Sequence, residues 1–206
     1  MKQSTLVLKV NPKKPDDRIL TYAAAGIRYG TLVAFPTETV YGLAANRDNA
    51  RAVTLLYKTK RRPRSKALTI LIADTGLMRK LGCVMTKEAR ALTKKYWPGP
   101  LTIILRSRTG RKIGFRMPAN RIACELLRKA DVPVVAPSAN LSGMPAPTNA
   151  QAVLRGLDGK IDMLIDGGKT RVGVESTVVD CAVKEPRILR EGAISCKSIE
   201  RVLCRA

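Results

Sequence analysis

Leu56 to Ala73 reads LYKTKRRPRSKALTILIA. Six cationic side chains, Lys58, Lys60, Arg61, Arg62, Arg64 and Lys66, crowd its first half around Pro63. The run from Leu68 to Ala73 that follows is apolar and short, the signature of a buried strand. A cationic loop that feeds a buried strand fixes an anion site on a rigid scaffold. Most charge runs are plain solvated surface, so the rest of the chain has to decide between the two.

Upstream, Thr5 to Val10 reads as a strand. Asp16 or Asp17 caps a helix from Asp17 to Tyr29, which Gly30 ends, with Ile19, Leu20, Ala23, Ala24 and Ile27 on one face. Leu32 to Phe35 reads as a short buried strand. It runs into PTETVYGL, Pro36 to Leu43, where two threonine hydroxyls, a carboxylate and a phenol gather at a strand end. Ligands of open α/β sheets bind at such ends. Asn46 or Asp48 then caps a helix through Ala50, Val53, Leu55 and Leu56 that leads into the basic stretch.

Downstream, helices are expected at Leu77 to Leu81 and at Thr86 to Tyr96. Leu101 to Leu105 and Gly114 to Met117 read as strands around a basic turn, Arg106 to Lys112, with Gly110 at its tip. Asn120 caps a helix to about Ala130. Val132 to Ala136 is a strand that ends in PSANLSG, Pro137 to Gly143. A short helix from Thr148 to Leu154, strands at Ile161 to Asp166, Val178 to Cys181 and Pro186 to Arg190, and a terminal helix capped by Ser195 or Ser198 complete the pattern. Hairpins alternate with helical crossovers and no repeat or linker intervenes. The expected fold is therefore a single α/β domain over residues 1–206, with a twisted mixed sheet and flanking helices.

Composition narrows the function. The formal net charge of the 206 residues is +22, which favours a polyanionic partner. No apolar run approaches the ~18 residues of a membrane span, and the N-terminus lacks the pattern of a signal peptide, so the cytoplasm is the default location. Five scattered cysteines, with no CxxC pair, argue against a disulfide framework. There is no histidine, which removes histidine triads and histidine metal ligands. Two Phe and one Trp make no base-stacking platform. Neither GxxxxGK[ST] nor GxGxxG is present. The remaining clusters, Thr37 to Tyr41, Lys60 to Lys66, Arg116, Ser138 to Asn140, Ser176 and Arg190, are cations and hydroxyls at element ends. Such a set suits a nucleotide polyphosphate with a small carboxylate.

In their order and separations, PTETVYGL, KTKRRP, APSANLSG and the EST and ILREG segments resemble the YrdC-type threonylcarbamoyl-AMP synthases, over about residues 16–192. The chain resembles the short form of that family, the catalytic domain alone. The resemblance implies a YrdC-like α/β domain with a basic concave face. It implies synthesis of threonylcarbamoyl-AMP from L-threonine, bicarbonate or CO2, and ATP, with release of pyrophosphate. A separate tRNA threonylcarbamoyl transferase complex would then modify adenosine 37 of tRNAs reading codons that begin with A. By the same resemblance, Lys60 and Arg62 would be the catalytic pair facing the ATP phosphates, with Lys66 beside them. Ser138 and Asn140 would face ATP and its Mg²⁺, the protein supplying no metal site of its own, and Arg190 would contact ATP. Thr37, Thr39, Arg116 and Ser176 would bind threonine, Arg116 through its carboxylate. The chain departs from many relatives at Leu71, where they carry histidine, at Ala67, where they carry proline, and at Lys112 and Ala146. The competing reading is a non-catalytic protein that binds double-stranded RNA or tRNA.

Overall fold

The computed structural model describes residues 4–205. Met1 to Gln3 and Ala206, the ends of the expected domain, lie outside the described residues. One mixed sheet runs through the chain. Its first strands are β1 (Leu6–Lys9), β2 (Val33–Pro36), β3 (Tyr41–Asn46), β4 (Thr69–Leu71) and β5 (Leu101–Arg106). The others are β6 (Lys112–Arg116), β7 (Val134–Val135), β8 (Met163–Asp166), β9 (Thr177–Asp180) and β10 (Arg187–Arg190). Their spatial order is β1-β8-β2-β3-β7-β4-β6-β5-β9-β10. The pairs β1–β8, β2–β8, β4–β6 and β5–β9 are parallel, and β2–β3, β3–β7, β4–β7, β5–β6 and β9–β10 are antiparallel. The expected α/β fold with a mixed sheet and flanking helices is what forms.

The helices are α1 (Asp17–Tyr29), α2 (Ala50–Thr59), α3 (Gly76–Lys80), α4 (Lys87–Tyr96), α5 (Arg121–Ala130), α6 (Ala150–Leu157) and α7 (Cys196–Leu203). Asp16 caps α1 by accepting from the Arg18 and Ile19 amides. Leu20, Ala23, Ala24 and Ile27 turn inward with no exposure. Gly30, at φ 100°, ends the helix, and the amide after it, of Thr31, returns to the Gly26 carbonyl. A left-handed residue is the usual way to close off the last carbonyls of a helix.

The sheet buries both faces. On one, Ile70, Ile72, Leu101, Ile103, Leu105 and Phe115 join residues of α2, α4, α6 and α7. On the other, Val33, Phe35, Ala44, Leu71 and Val134 meet residues of α1 and α5. Strand alternation does the sorting. In β5, Leu101, Ile103 and Leu105 enter the first core, so Thr102 belongs to the opposite face. In β6, Phe115 enters it and Arg116 is opposite. Each fully buried Leu, Ile or Phe contributes about 2 kcal/mol to the fold.

Four local expectations change. Tyr41 to Asn46 is a fully buried strand, which the sequence reading did not assign, taking Pro36 to Leu43 as a polar cluster beyond a strand end. Its small residues, Gly42, Ala44 and Ala45, carry little strand propensity but admit close packing between β2 and β7. Asn49, not Asn46 or Asp48, caps α2; Asn46 instead accepts from the Asp48 amide and donates to the Arg28 carbonyl. α6 starts at Ala150 behind an Asn149 cap and runs to Leu157, rather than from Thr148 to Leu154. Ser195 does precede α7, but its hydroxyl bonds Ser198 rather than a helix amide.

Candidate active site

The site begins where α2 stops. Lys60 caps the helix, and Arg61 takes a left-handed φ of 49°. The Arg61 amide donates to Lys58 O, and the Arg62 amide donates to Tyr57 O at 2.9 Å. This paired closure normally places glycine at the left-handed position. Here it is arginine, so the backbone is held at a cost of order 1–2 kcal/mol beside the functional side chains.

The left-handed turn separates two residues that the sequence placed together. Lys60 is 1% exposed. Its ammonium donates to the Ser138 carbonyl, to Asn140 O at 2.6 Å and to Asn140 Oδ1 at 3.4 Å. It does not line the cleft described below; it ties the Ser138–Asn140 loop to α2. Burial, reinforced by the Arg62 charge and opposed by Glu175, lowers its pKa to about 8. Arg62 turns the other way. Its Nε and Nη2 donate to the Lys66 and Ala67 carbonyls at 3.1 and 2.8 Å, and its side chain lines the cleft. Lys66 serves through its backbone; its side chain is exposed and does not line the cleft. Lys58, Arg61 and Arg64 are also exposed.

A partly open cleft lies beside Arg62. Its floor is a row across one face of the sheet. Thr102, Arg116 and Leu71 lie on adjacent strands, and Thr69 lies two residues before Leu71. They occupy the face on which α1 and α5 cover β2 and β3. The site is thus built on an open portion of a sheet face as well as on loops, and not at strand C-termini alone. Thr37, Tyr41, Ser138, Glu175, Ser176 and Arg190 complete the walls.

Each wall residue is held. Arg116 is 7% exposed; its Nη2 lies 2.8 Å from Thr39 Oγ1 and 2.9 Å from Glu38 Oε1, and its Nε points to Gly99 O at 3.4 Å. Its Nη1 has no partner among the described residues. Thr39 is wholly buried and shares a hydrogen bond of 2.9 Å with Thr37 Oγ1. It reaches the cleft through Arg116 and Thr37 rather than directly. Ser176 Oγ lies 2.8 Å from Thr102 Oγ1. Arg190 donates from Nε and Nη2 to Ser176 O, and its Nη1 lies 3.0 Å from Glu175 Oε2. A Cβ on Gly192 would stand 2.3 Å from Glu175 O, so the tail can close over Ser176 only with glycine there. Asn140 does not line the cleft; its Nδ2 donates to Met144 O. Tyr41 donates to Gly168 O at 2.7 Å, and burial, with the Asp166 charge, pushes its phenol well above the usual range.

The cleft therefore gathers Thr37, Arg62, Arg116, Ser138, Ser176 and Arg190 directly, with Lys60, Thr39 and Asn140 one contact behind. Thr102 was not singled out from the sequence, and Tyr41, Glu38 and Glu175 stood there only as members of the Thr37 to Tyr41 cluster and the EST segment, without a role of their own. Thr102 has a signal there, a hydroxyl at the alternate position of an otherwise apolar strand. Glu175 has one in its adjacency to Ser176.

The Sua5_yciO_yrdC family model, described as telomere recombination, matches residues 25–192. The chain is 43% identical to the threonylcarbamoyl-AMP synthase of Pyrococcus abyssi over 97% of its length, and 43% identical to that of Bacillus subtilis over 91%. It spans 61% and 57% of those relatives' own lengths. The structure of P. abyssi Sua5 complexed with L-threonine superposes with a TM-score of 0.90 at 42% identity, covering 96% of this chain and 61% of that one. Escherichia coli YciO, at 22% identity, shares the fold with a TM-score of 0.84, covering 95% of this chain and 99% of its own. The family model and the identity to these relatives agree: the chain belongs to the Sua5/YciO/YrdC family.

Proposed function

We propose that the chain makes threonylcarbamoyl-AMP from L-threonine, bicarbonate or CO2, and ATP, and releases pyrophosphate. The observation that carries this reading is the convergence of three arginines and paired hydroxyls in one cleft. Arg62 and Arg190 suit a triphosphate, and Arg116, with Nη1 unpartnered, suits a carboxylate. Relatives named threonylcarbamoyl-AMP synthase, one of them solved with L-threonine, support it.

The phosphoryl-transfer step asks for no strong base. Threonine's amine, after its ammonium has lost a proton to solvent, adds to CO2 and releases a second proton to give a carbamate, or condenses with bicarbonate and releases water. A carbamate oxygen then attacks the α-phosphorus of ATP, and pyrophosphate leaves. The carbamate is already an anionic nucleophile, which suits a chain without histidine. The obstacle is the approach of an anion to a polyanion, and fixed cations lower it by positioning and charge stabilisation. In this scheme Arg116 holds the threonine carboxylate, Thr37 and the Ser176–Thr102 pair orient its polar groups, and Arg62 and Arg190 hold the phosphates.

Among the described residues no group of three His, Cys, Asp or Glu side chains could hold a metal ion. Among the described residues one carboxylate, Glu175, lines the cleft, together with hydroxyls that include Ser138. That set fits Mg²⁺ that travels with a nucleotide and keeps its waters, with Ser138 facing it and Asn140 one contact behind. When bound, Mg²⁺ would screen the phosphate charge.

The product would pass to a separate tRNA threonylcarbamoyl transferase complex for adenosine 37 of tRNAs reading codons that begin with A. The net charge of +22 is consistent with tRNA or double-stranded RNA as a further partner. No helix among the described residues is long and apolar enough to cross a membrane. Pyrophosphate release tests the reading. It should require ATP, threonine and bicarbonate together, and equal release without threonine would overturn it.

A further inference from the structure

Below the floor of the cleft lies a carboxylate that the scheme above leaves idle. Glu38 is 3% exposed and does not line the cleft. Its Oε1 lies 2.9 Å from Arg116 Nη2. Neither oxygen has a hydrogen-bond partner among the described residues, and Oε2 has no ion-pair partner either. Carboxylates are kept out of water only against strong compensation, and the sole compensating charge within ion-pair distance, among the described residues, is Arg116.

The pairing governs how Arg116 meets a ligand. Its Nη2 is committed to Glu38 and Thr39, and its Nε faces Gly99 O. That leaves Nη1 for the cleft. The other two arginines of the cleft differ. The side chains of Arg190 and its partner Glu175 are 43% and 40% exposed, so water and salt screen that pair. Arg62 has backbone carbonyls as partners. The cleft thus holds one arginine that is buried and charge-balanced and two that are not. A balanced guanidinium with one free nitrogen favours a monoanionic carboxylate over a polyphosphate.

We propose that Glu38 is the positioning residue that orients and charge-balances Arg116, and so marks Arg116 as the carboxylate site of a cleft that also receives a triphosphate. This rests on the function proposed above. For Glu38→Gln, the KM for threonine should rise on the order of tenfold, with kcat and the KM for ATP nearly unchanged. Pyrophosphate should become a competitive inhibitor toward threonine. Glu38→Asp, which keeps the charge, should recover much of the loss. A threonine KM unchanged in Glu38→Gln, or an equal rise in the KM for ATP, would overturn the proposal. Should Glu38→Gln fail to fold, Glu38→Ala takes its place: its threonine KM must rise on the order of tenfold with the ATP KM unchanged, and an unchanged threonine KM overturns the proposal.

A double-variant cycle on thermal stability is independent of turnover. Arg116→Gln alone leaves a buried unpaired carboxylate, so it should be less stable than Arg116→Gln combined with Glu38→Gln. If the two losses simply add, Glu38 does not act through Arg116. Wild-type protein without threonine-dependent turnover would sink the proposed function, while the cycle would still judge this inference.

Discussion

Replacing Lys60 by methionine removes an ammonium that touches the cleft only through the loop it holds. The Ser138 and Asn140 carbonyls lose their donor. A buried carbonyl left unpartnered costs about 1–3 kcal/mol, so the two together cost roughly 4 kcal/mol. Against this stands the relief of a buried charge. The Lys60 pKa falls from 10.5 to about 8, which corresponds to roughly 3 kcal/mol. The net loss near neutral pH is therefore about 1 kcal/mol, and in a chain of this size Tm should fall by roughly 2–4 °C. Activity should fall far more. Ser138 stands on the freed loop, and a misplacement of about 1 Å can cost on the order of 10²-fold. The pH dependence has a definite sign. The folded pKa lies below the unfolded one, so between about pH 8 and 10.5 the unfolded chain holds a proton that the folded chain has shed. Wild-type stability from this group rises with pH across that window and levels off above it. The stability gap between wild type and Lys60→Met should thus widen by up to roughly 3 kcal/mol on going through it. Urea unfolding at several pH values and ATP kinetics at pH 7.5 measure both effects. Wild-type ATP kinetics in Lys60→Met, or a gap that stays flat or narrows, would refute the reasoning.

Three further outcomes are expected. Arg62→Ala should remain folded and lose on the order of 10²-fold or more in pyrophosphate release, as one electrostatic donor supplies about 3 kcal/mol of barrier lowering; circular dichroism checks the fold. Gly192→Ala places a Cβ within 2.7 Å of three backbone atoms of Glu175 and Ser176, so chemical denaturation should show a loss of about 1–3 kcal/mol and the KM for ATP should rise as Arg190 shifts. Arg61→Gly relieves a left-handed arginine at φ 49° but adds unfolded-state freedom, so stability should change by less than about 1 kcal/mol, whereas Arg61→Val should lose more.

Long amphipathic segments were legible in the sequence because one period decided them. α1 and α5 follow their apolar faces, and β5 follows its alternation. β3 was not, because Tyr41 to Asn46 is held by position in the sheet rather than by branched side chains. The site was legible as a set of residue types and less so as a geometry. Lys60 and Arg62, two residues apart, read as one cationic pair until the left-handed Arg61 turns them to opposite sides. Thr37 and Thr39 look equivalent in PTET, yet Thr37 lines the cleft and Thr39 stands behind it. Glu38 stands in the sequence only as one carboxylate of the PTETVYGL cluster; its particular meaning comes from Arg116, 78 positions away by the numbering.

The central claim is that three small substrates meet in one cleft to form a single mixed anhydride. Carbon-13 bicarbonate supplied with ATP, Mg²⁺ and L-threonine tests it, with mass spectrometry of the quenched mixture. The account predicts an adenylate that carries threonine and one labelled carbon, formed in step with pyrophosphate and lost with Arg116→Gln or Arg62→Ala. An adenylate without the label, or pyrophosphate released at the same rate when threonine is left out, would contradict it.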